Sequence, residues 1–242
     1  MRAALLPTSG DPGIVWRVGY MPDPWRWSPW EYATDDGRFN GRWDDQDARF
    51  RTLYTAESLL GCFLELLAVV QPNTVAYAEL DEIVDDAGIH DDHASPHRGE
   101  VEPRWLEGRC YGSGYQRGRY AEITEAGGLA FLRKMRLLDG LGIPAADIDT
   151  ALLKDSKRRD VTRSIARFIF ELVDANRRPM VDGIAFRSRM GDNLRLWAVF
   201  ERGEGEVSEL IQPHSDPVPV TADDPTLLEA FSLLELHWKA ED

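Results

Sequence analysis

The sequence predicts a single-domain α+β fold. Segments of strand character lie towards both ends of the chain, and the segments between them carry apolar residues at helical spacing. Because strands precede and follow this block of helices, a mixed architecture is favoured over a regular βαβ repeat. The 242 residues contain no Gly/Ser-rich or Pro-rich linker in the middle and no internal repeat, which favours one domain over two.

Two strands and a helix are predicted in the N-terminal third. The stretch "GIVWRVGY" (13–20) is typical of a short strand, and the Trp/Pro-rich "MPDPWRWSPWEY" (21–32) is predicted to be ordered but irregular. "FRTLYTA" (50–56) predicts a second strand that leads straight into a helix. That helix carries an apolar run from Leu59 to Val70 with one carboxylate, Glu65, near its centre.

Further helices are predicted in the second half of the chain. Apolar residues recur at helical spacing in "LAFLRKMRLLDGLG" (129–142) and in "DVTRSIARFIFELVDANRR" (160–178), and a final amphipathic helix is predicted over 225–240 and packed on the rest of the domain. Residues 71–118 show little periodicity. Within them, 81–102 forms an acidic segment that we interpret as a loop-like insertion.

A pair of strands is predicted in "DGIAFRSRMGDNLRLWAVFE" (182–201), joined by a turn at Met190 to Asn193. Side chains alternate between the two faces of a strand, so Ile184, Phe186 and Ser188 share one face of the first strand. Ser188 is therefore a hydroxyl on an apolar face. It needs a hydrogen-bond partner there, and for a buried serine this is most commonly the backbone.

The composition excludes several classes of function. Forty-two acidic and 28 basic residues give a formal net charge of −14, which repels DNA and RNA, so direct nucleic-acid binding is not expected. The longest apolar run is too short to span a bilayer, and the N-terminus lacks the apolar stretch of a signal peptide. We therefore expect a cytoplasmic protein. Two cysteines, Cys62 and Cys110, give no disulfide framework.

The position of Glu65 requires an explanation, because an ionised carboxylate is rarely buried without a partner. At 3.6 residues per turn it shares one stripe of its helix with the small residues Ser58, Gly61, Cys62 and Ala68. In one interpretation, the small residues let another element approach closely and Glu65 pairs with an arginine. In the other, they line the floor of a pocket into which Glu65 projects. The spacing leaves both open.

Other segments bear on such a pocket. "GRF" (37–39) and "GRW" (41–43) each place an arginine between a glycine and an aromatic residue, a combination that can bind a phosphate and stack on a ring. "HDDHASPH" (90–97) has the composition of a metal cluster but no recognised spacing, so no metal site is predicted. We interpret the basic "KDSKRRDVTR" (154–163) as the solvated start of a helix.

An ordered set of motifs resembles the RES domain, a family named for its Arg, Glu and Ser. The resemblance lies in "GRWDDQDARFRTLYTAESLLGCFLELL" (41–67), in "DGIAFRSRMGDNLRLWAVFE" (182–201) and in the helical "KRRDVTRSIARFIF" (157–170), and it runs from about Val15 to Glu201. It implies an ADP-ribosyltransferase-like fold, a mixed sheet with flanking helices around a dinucleotide cleft. Characterised members are bacterial toxins that degrade NAD⁺ and are neutralised by an antitoxin with an Xre-like DNA-binding domain.

The resemblance assigns the family's residues to positions of this chain. The arginine falls on Arg42, with Arg38 as a competitor because "GRFN" is an equally acceptable local match. The tyrosine corresponds to Tyr54, the glutamate to Glu65 and the serine to Ser188.

Three further arginines are candidate contacts to the ligand. Arg17, in "VWRV", resembles another arginine near the start of the family pattern, and Arg187 and Arg189 flank the serine of the motif. The implied substrate is NAD⁺, with water or inorganic phosphate as the second reactant and no cofactor required.

The implied reaction is cleavage of the bond between nicotinamide and ribose. Positive charge develops on the ribose in the transition state, where a carboxylate such as Glu65 would stabilise it. Arg42 or Arg38 would hold the pyrophosphate, Tyr54 would pack on nicotinamide or ribose, and Ser188 would hydrogen-bond in the same region. The alternatives are a non-catalytic partner-binding protein on the same fold and an ADP-ribosyltransferase that modifies a macromolecule. The oligomeric state stays open.

Overall fold

The computed structural model describes residues 6–33, 39–72 and 99–240. Arg38, the acidic segment as far as residue 98 and the histidine-containing segment 90–97 lie outside the described residues. Among the residues that are described, no helix is both long enough and apolar enough to cross a membrane.

The described residues form five α-helices and eleven strands. The helices are α1 (Leu59–Leu67), α2 (Ala126–Met135), α3 (Thr150–Lys154), α4 (Arg159–Glu171) and α5 (Pro225–Leu234). The strands are β1 (Thr8–Ser9), β2 (Gly13–Tyr20), β3 (Thr52–Ala56), β4 (Glu100–Val101), β5 (Arg109–Gln116), β6 (Tyr120–Glu122), β7 (Gly183–Ser188), β8 (Gly191–Phe200), β9 (Ile211–Pro213), β10 (Val218–Pro219) and β11 (His237–Trp238). Short 3₁₀ helices occupy Trp30–Tyr32, Pro103–Leu106, Asp139–Leu141 and Ala145–Asp147.

Nine of the described strands form one mixed sheet, in the order β1-β6-β7-β8-β3-β2-β5-β10, with β9 also paired to β5. Only β6 and β7 run parallel; the other neighbours in this sheet are antiparallel. β2 and β5 pair along their whole length, whereas β2 and β3 share the single registered pair Trp16↔Ala56. β4 and β11 form a separate parallel pair. The predicted α+β fold with a mixed sheet is confirmed.

The two faces of the sheet are covered differently. The helices cover one face; α1, for example, buries Phe63 and Leu67 and packs on β2, β3 and α5. The other face is covered by the Trp/Pro-rich segment 21–32, which buries Trp25 and Trp27 against it. The prediction that this segment is ordered but irregular is confirmed, because its tryptophans fill a core without forming a long element.

Several predicted boundaries are wrong. The helix predicted in 129–142 ends at Met135, because Arg136 is left-handed with φ 52°, and the helix predicted in 160–178 ends at Glu171, where Leu172 becomes extended. The last helix is predicted to span 225–240 but ends at Leu234, because Glu235 takes a left-handed conformation with φ 55° and the chain continues as β11. The turn expected at Met190 to Asn193 lies earlier, at Arg189 and Met190, because Ser188 pairs with Gly191 and the second strand begins there.

β5 carries no clear strand signal in the sequence and lies in the stretch of low periodicity. Its sequence, "RCYGSGYQ", holds two glycines, and glycine weakens strand propensity. Packing favours glycine at position 114, since a Cβ atom there would make tight contacts of 3.0 Å with Cζ2 of Trp25 and 3.0 Å with Cγ2 of Ile211. Gly114 weakens the strand signal in the sequence, and the same glycine leaves room for Trp25 to pack on the sheet.

Candidate active site

A cleft in the described part of the chain brings together most of the predicted site residues. It has a volume of about 1080 Å³ and lies where β2, β3 and α1 meet residues 39–51, which we call the Arg42 loop. Its walls include Arg17, Arg42, Tyr54, Glu65 and Arg189. This volume is at the upper end of the range for small-molecule sites, which suits a ligand as large as a dinucleotide.

Glu65 faces the cleft from α1, and Ser188 holds its carboxylate. The Ser188 hydroxyl donates a hydrogen bond to Oε1 of Glu65 and accepts one from the backbone N–H of Met190 at 2.8 Å. Ser188 is completely buried at the end of β7, whereas Glu65 is half-buried. One carboxylate oxygen is thereby fixed, and the other has no hydrogen bond to a described residue.

The small residues on α1 serve both interpretations of the stripe. A Cβ atom at Gly61 would lie 3.3 Å from Cβ of Ala56, so the glycine lets the helix approach β3 closely. Cys62 lines the cleft beside Glu65, as the pocket interpretation predicts. The partner of the carboxylate among the described residues is the Ser188 hydroxyl rather than an arginine.

Arg42 lines the same cleft and is 7% exposed. Burial lowers the pKa of Arg42, the charge of Glu65 raises it, and the charges of Arg159 and Arg189 lower it. The guanidinium makes no hydrogen bond or ion pair to any described residue. A buried guanidinium that faces a cleft and has no partner among the described residues can bind an anionic ligand, because its planar donors match phosphate and carboxylate oxygens.

Tyr54 and Asp44 fix the conformation of the Arg42 loop. The Tyr54 hydroxyl accepts a hydrogen bond from the backbone N–H of Trp43 at 2.8 Å and donates one to Oδ1 of Asp44 at 3.0 Å. Asp44 also accepts a hydrogen bond from the backbone N–H of Gly41. Burial and then the charge of Asp44 raise the pKa of Tyr54 well above its usual value. The hydroxyl therefore positions the segment that carries Arg42, and Tyr54 is itself one of the residues that line the cleft.

Helix α4 anchors the same loop from the other side. Arg167 donates from Nε to Oδ1 of Asp45 at 2.7 Å and from Nη2 to Oδ2, and both side chains are buried. Arg163 donates a hydrogen bond to the backbone carbonyl of Phe39 at 2.6 Å. The loop is thus held at its start and in its middle by arginines of one helix.

Arg17 bridges β2 and β3 where their pairing ends. It donates from Nε to the carbonyl of Pro24 at 2.5 Å and from Nη1 to the carbonyl of Tyr54 at 2.9 Å. Burial lowers the pKa of Arg17 to about 10. Through the hydrogen bonds of its Nε and Nη1 atoms, Arg17 holds parts of the cleft wall together. Arg189, in the turn after β7, donates to the carbonyl of Ala68 at 3.3 Å and also lines the cleft.

Arg187 is not among the residues that line the cleft. Strand alternation places it on the face opposite to Phe186 and Ser188, where it pairs in register with Arg195 and lies near Asp192. The structure therefore does not place it with the other candidate contacts. Arg38 lies outside the described residues, so Arg42 is the one of the two competing arginines that the structure locates.

Among the residues of the cleft wall that the sequence does not predict, Asp44 and Arg159 bear most directly on the site. Asp44 stands in the quoted "GRWDD", but nothing in that pattern shows that it bonds the motif's tyrosine. Arg159 stands in the basic segment that we interpreted as a solvated helix start. That interpretation fits Arg158, which pairs with Asp160 in solvent, but not Arg159, which lines the cleft.

Cys62 cannot act as a nucleophile at neutral pH, because burial raises the pKa of its thiol to about 12. Over residues 6–33, 39–72 and 99–240, no three or more His, Cys, Asp or Glu side chains are arranged to hold a metal ion. The segment 90–97, with the composition of a metal cluster, lies outside these ranges.

Comparisons with known proteins place the whole cleft inside one family match. The RES domain model matches residues 14–223. No curated protein matches the chain in sequence. A chain of the crystal structure of the M. tuberculosis MbcT–MbcA toxin–antitoxin complex is similar over 93% of this chain and 92% of its own length, with 15% sequence identity and a TM-score of 0.43.

Proposed function

The chain belongs to the RES domain family, and from this premise we propose that it is an enzyme that degrades NAD⁺ by cleaving the bond between nicotinamide and ribose. The observation that carries the proposal is the carboxylate of Glu65, which Ser188 holds and which shares one cleft with the guanidinium of Arg42, a group with no ion pair to a described residue. A dinucleotide needs both charges: a negative one near the ribose and a positive one near the pyrophosphate.

The geometry supports a dissociative cleavage. Nicotinamide leaves as a neutral molecule with the electron pair of the glycosidic bond, and positive charge develops on the ribose. The carboxylate of Glu65 stabilises that charge, and Ser188 holds it in place so that little reorganisation is needed during the reaction. Water or phosphate then forms the new bond to the ribose carbon, which yields ADP-ribose or its phosphate ester.

A toxin role with a protein antitoxin as partner is part of the same proposal, because the RES family implies it. Expression of the wild-type chain alone should arrest growth, and expression of Glu65→Gln should not. Normal growth with the active chain would refute the toxin role and leave the chemistry standing.

The chemistry is tested by incubating the purified protein with NAD⁺, with and without phosphate, and measuring nicotinamide and the ribose product. Glu65→Gln removes the negative charge and keeps the shape of the side chain. We expect a loss of at least a hundredfold in the rate, the order of effect seen when a group that stabilises charge in a transition state is removed. Glu229→Gln, on the exposed face of α5, is the matched control and should keep full activity.

The products separate the remaining alternatives. ADP-ribose alone indicates hydrolysis, and its phosphate ester, formed only with phosphate, indicates phosphorolysis. Release of nicotinamide only when a protein acceptor is added would favour ADP-ribosyl transfer to a macromolecule. No release under any of these conditions, with the fold intact by circular dichroism, would refute the enzyme and favour the partner-binding protein.

A further inference from the structure

Three arginines from three different elements converge on one part of the cleft. Arg42 comes from the Arg42 loop, Arg159 is the first residue of α4, and Arg189 lies in the turn between β7 and β8. All three line the cleft together with Glu65. Arg159 and Arg189 are near enough to Arg42 for their charges to act on it.

The arginines of this cluster are not used in ion pairs within the described part of the protein. Two other cleft arginines are paired, Arg26 with Glu206 and Arg51 with Glu201. None of the three arginines of the cluster forms an ion pair with a described carboxylate, and among the charges that act on Arg42 the largest effect comes from Glu65. Like charges that lie close together repel one another, so a bound anion would relieve an electrostatic cost in the free protein.

The position of Arg159 at a helix start supports a role beyond the helix. Cations are disfavoured at a helix N-terminus, where the helix dipole is positive. Arg158 is compensated by its ion pair with Asp160, but Arg159 has no such described partner. An anion in this region would interact favourably with both the side chain and the helix end.

We propose that Arg159 completes an anion subsite, shared with Arg42 and Arg189, that binds a phosphate group beside Glu65. This inference rests on the proposed function for its role in turnover, but the binding of the anion does not. Two sources carry the required chemistry, namely the pyrophosphate of NAD⁺ and free inorganic phosphate acting as the nucleophile.

The first test measures anion binding without any turnover. Wild type, Arg159→Gln and the matched control Arg158→Gln are titrated calorimetrically with inorganic phosphate and, separately, with inorganic pyrophosphate. Wild type and Arg158→Gln should bind at least one of these anions equally well. Arg159→Gln should bind it about tenfold more weakly or worse, because one charge-assisted contact is lost. Equal affinity in Arg159→Gln and the control, or no binding by the wild type, overturns the proposal.

The second test distinguishes the two sources through steady-state kinetics of nicotinamide release. A rise confined to the KM for phosphate in Arg159→Gln assigns the subsite to the nucleophile. A rise confined to the KM for NAD⁺ assigns it to the pyrophosphate of the substrate, and either result supports the subsite. Arg159→Met, which removes the charge and keeps an unbranched side chain, serves if Arg159→Gln does not fold, and unchanged anion affinity in that variant would count against the proposal. Anion binding without nicotinamide release would refute the enzyme and leave the subsite intact.

Discussion

The Ser188 hydroxyl joins two parts of the chain that are 123 residues apart, the end of β7 and the middle of α1. The sequence predicts that this hydroxyl needs a partner and favours the backbone, and the structure supplies two partners at once. It accepts from the backbone N–H of Met190 and donates to Glu65. The donated bond could not be predicted from spacing, because it depends on how α1 packs against the end of β7.

Replacing Ser188 by Ala should lower kcat about tenfold and change the KM for NAD⁺ much less. The variant removes one hydrogen bond to a charged group, which is worth about 1.5–3 kcal/mol, but leaves the arginines of the cleft in place. Ser208→Ala is the matched control, because Ser208 is also buried and accepts a backbone N–H two residues further on, from Leu210 at 3.3 Å. A similar loss of kcat in both variants would point to a general packing defect instead.

At the scale of elements, α4 and the Arg42 loop act as one unit. The sequence predicts the helix well, since Val161, Ile165 and Ile169 recur at helical spacing and all are fully buried. It does not predict what the polar side of the helix does. Arg167 is buried there against Asp45, a contact between residues 122 positions apart that carries no local signal.

Arg167→Met should reduce the free energy of unfolding by about 3 kcal/mol, because it leaves the buried carboxylate of Asp45 without its partner. The double variant Arg167→Met/Asp45→Leu should recover much of this loss, since both charges are then absent. Urea denaturation measures all of these variants. Arg158→Met, which breaks an exposed ion pair, is the control and should unfold at nearly the wild-type urea concentration. If Arg167→Met is as stable as that control, the pair does not anchor the loop.

At the scale of the whole molecule, the parts that the sequence predicts are those with a local physical signature. Apolar periodicity predicts α1 and α4, and alternation predicts β7 and β8. β5 is not predicted, because its glycines weaken the strand signal and are explained only by the packing of Trp25, which is distant in the chain. The cleft residues are likewise predicted only as far as local motifs reach. The sequence does not show that Arg187 lies outside the cleft or that Arg159 lines it, because these positions depend on which way a strand residue faces and on where a helix packs.

Stability of the whole protein should fall as the pH rises from 8 to 10, and Cys62 should account for a defined part of the fall. A thiol in the unfolded chain ionises near pH 9, whereas burial raises the pKa of Cys62 to about 12 in the folded protein. Between these values the folded state binds more protons than the unfolded state, so the free energy of unfolding decreases with pH. For this single group the decrease reaches about 1.4 kcal/mol by pH 10.

Cys62→Ala removes this contribution and leaves the other buried groups that ionise at high pH unchanged. Urea unfolding of wild type and variant at pH 8 and pH 10, under reducing conditions, should therefore show a smaller loss of stability in the variant, by about 1 kcal/mol. Each protein is compared with itself at the two pH values. The packing cost of the lost sulfur atom therefore cancels, since that cost does not depend on pH. Equal losses in the two proteins would mean that the thiol ionises as easily in the folded chain as in the unfolded one, and that the wall of the cleft around Cys62 admits water.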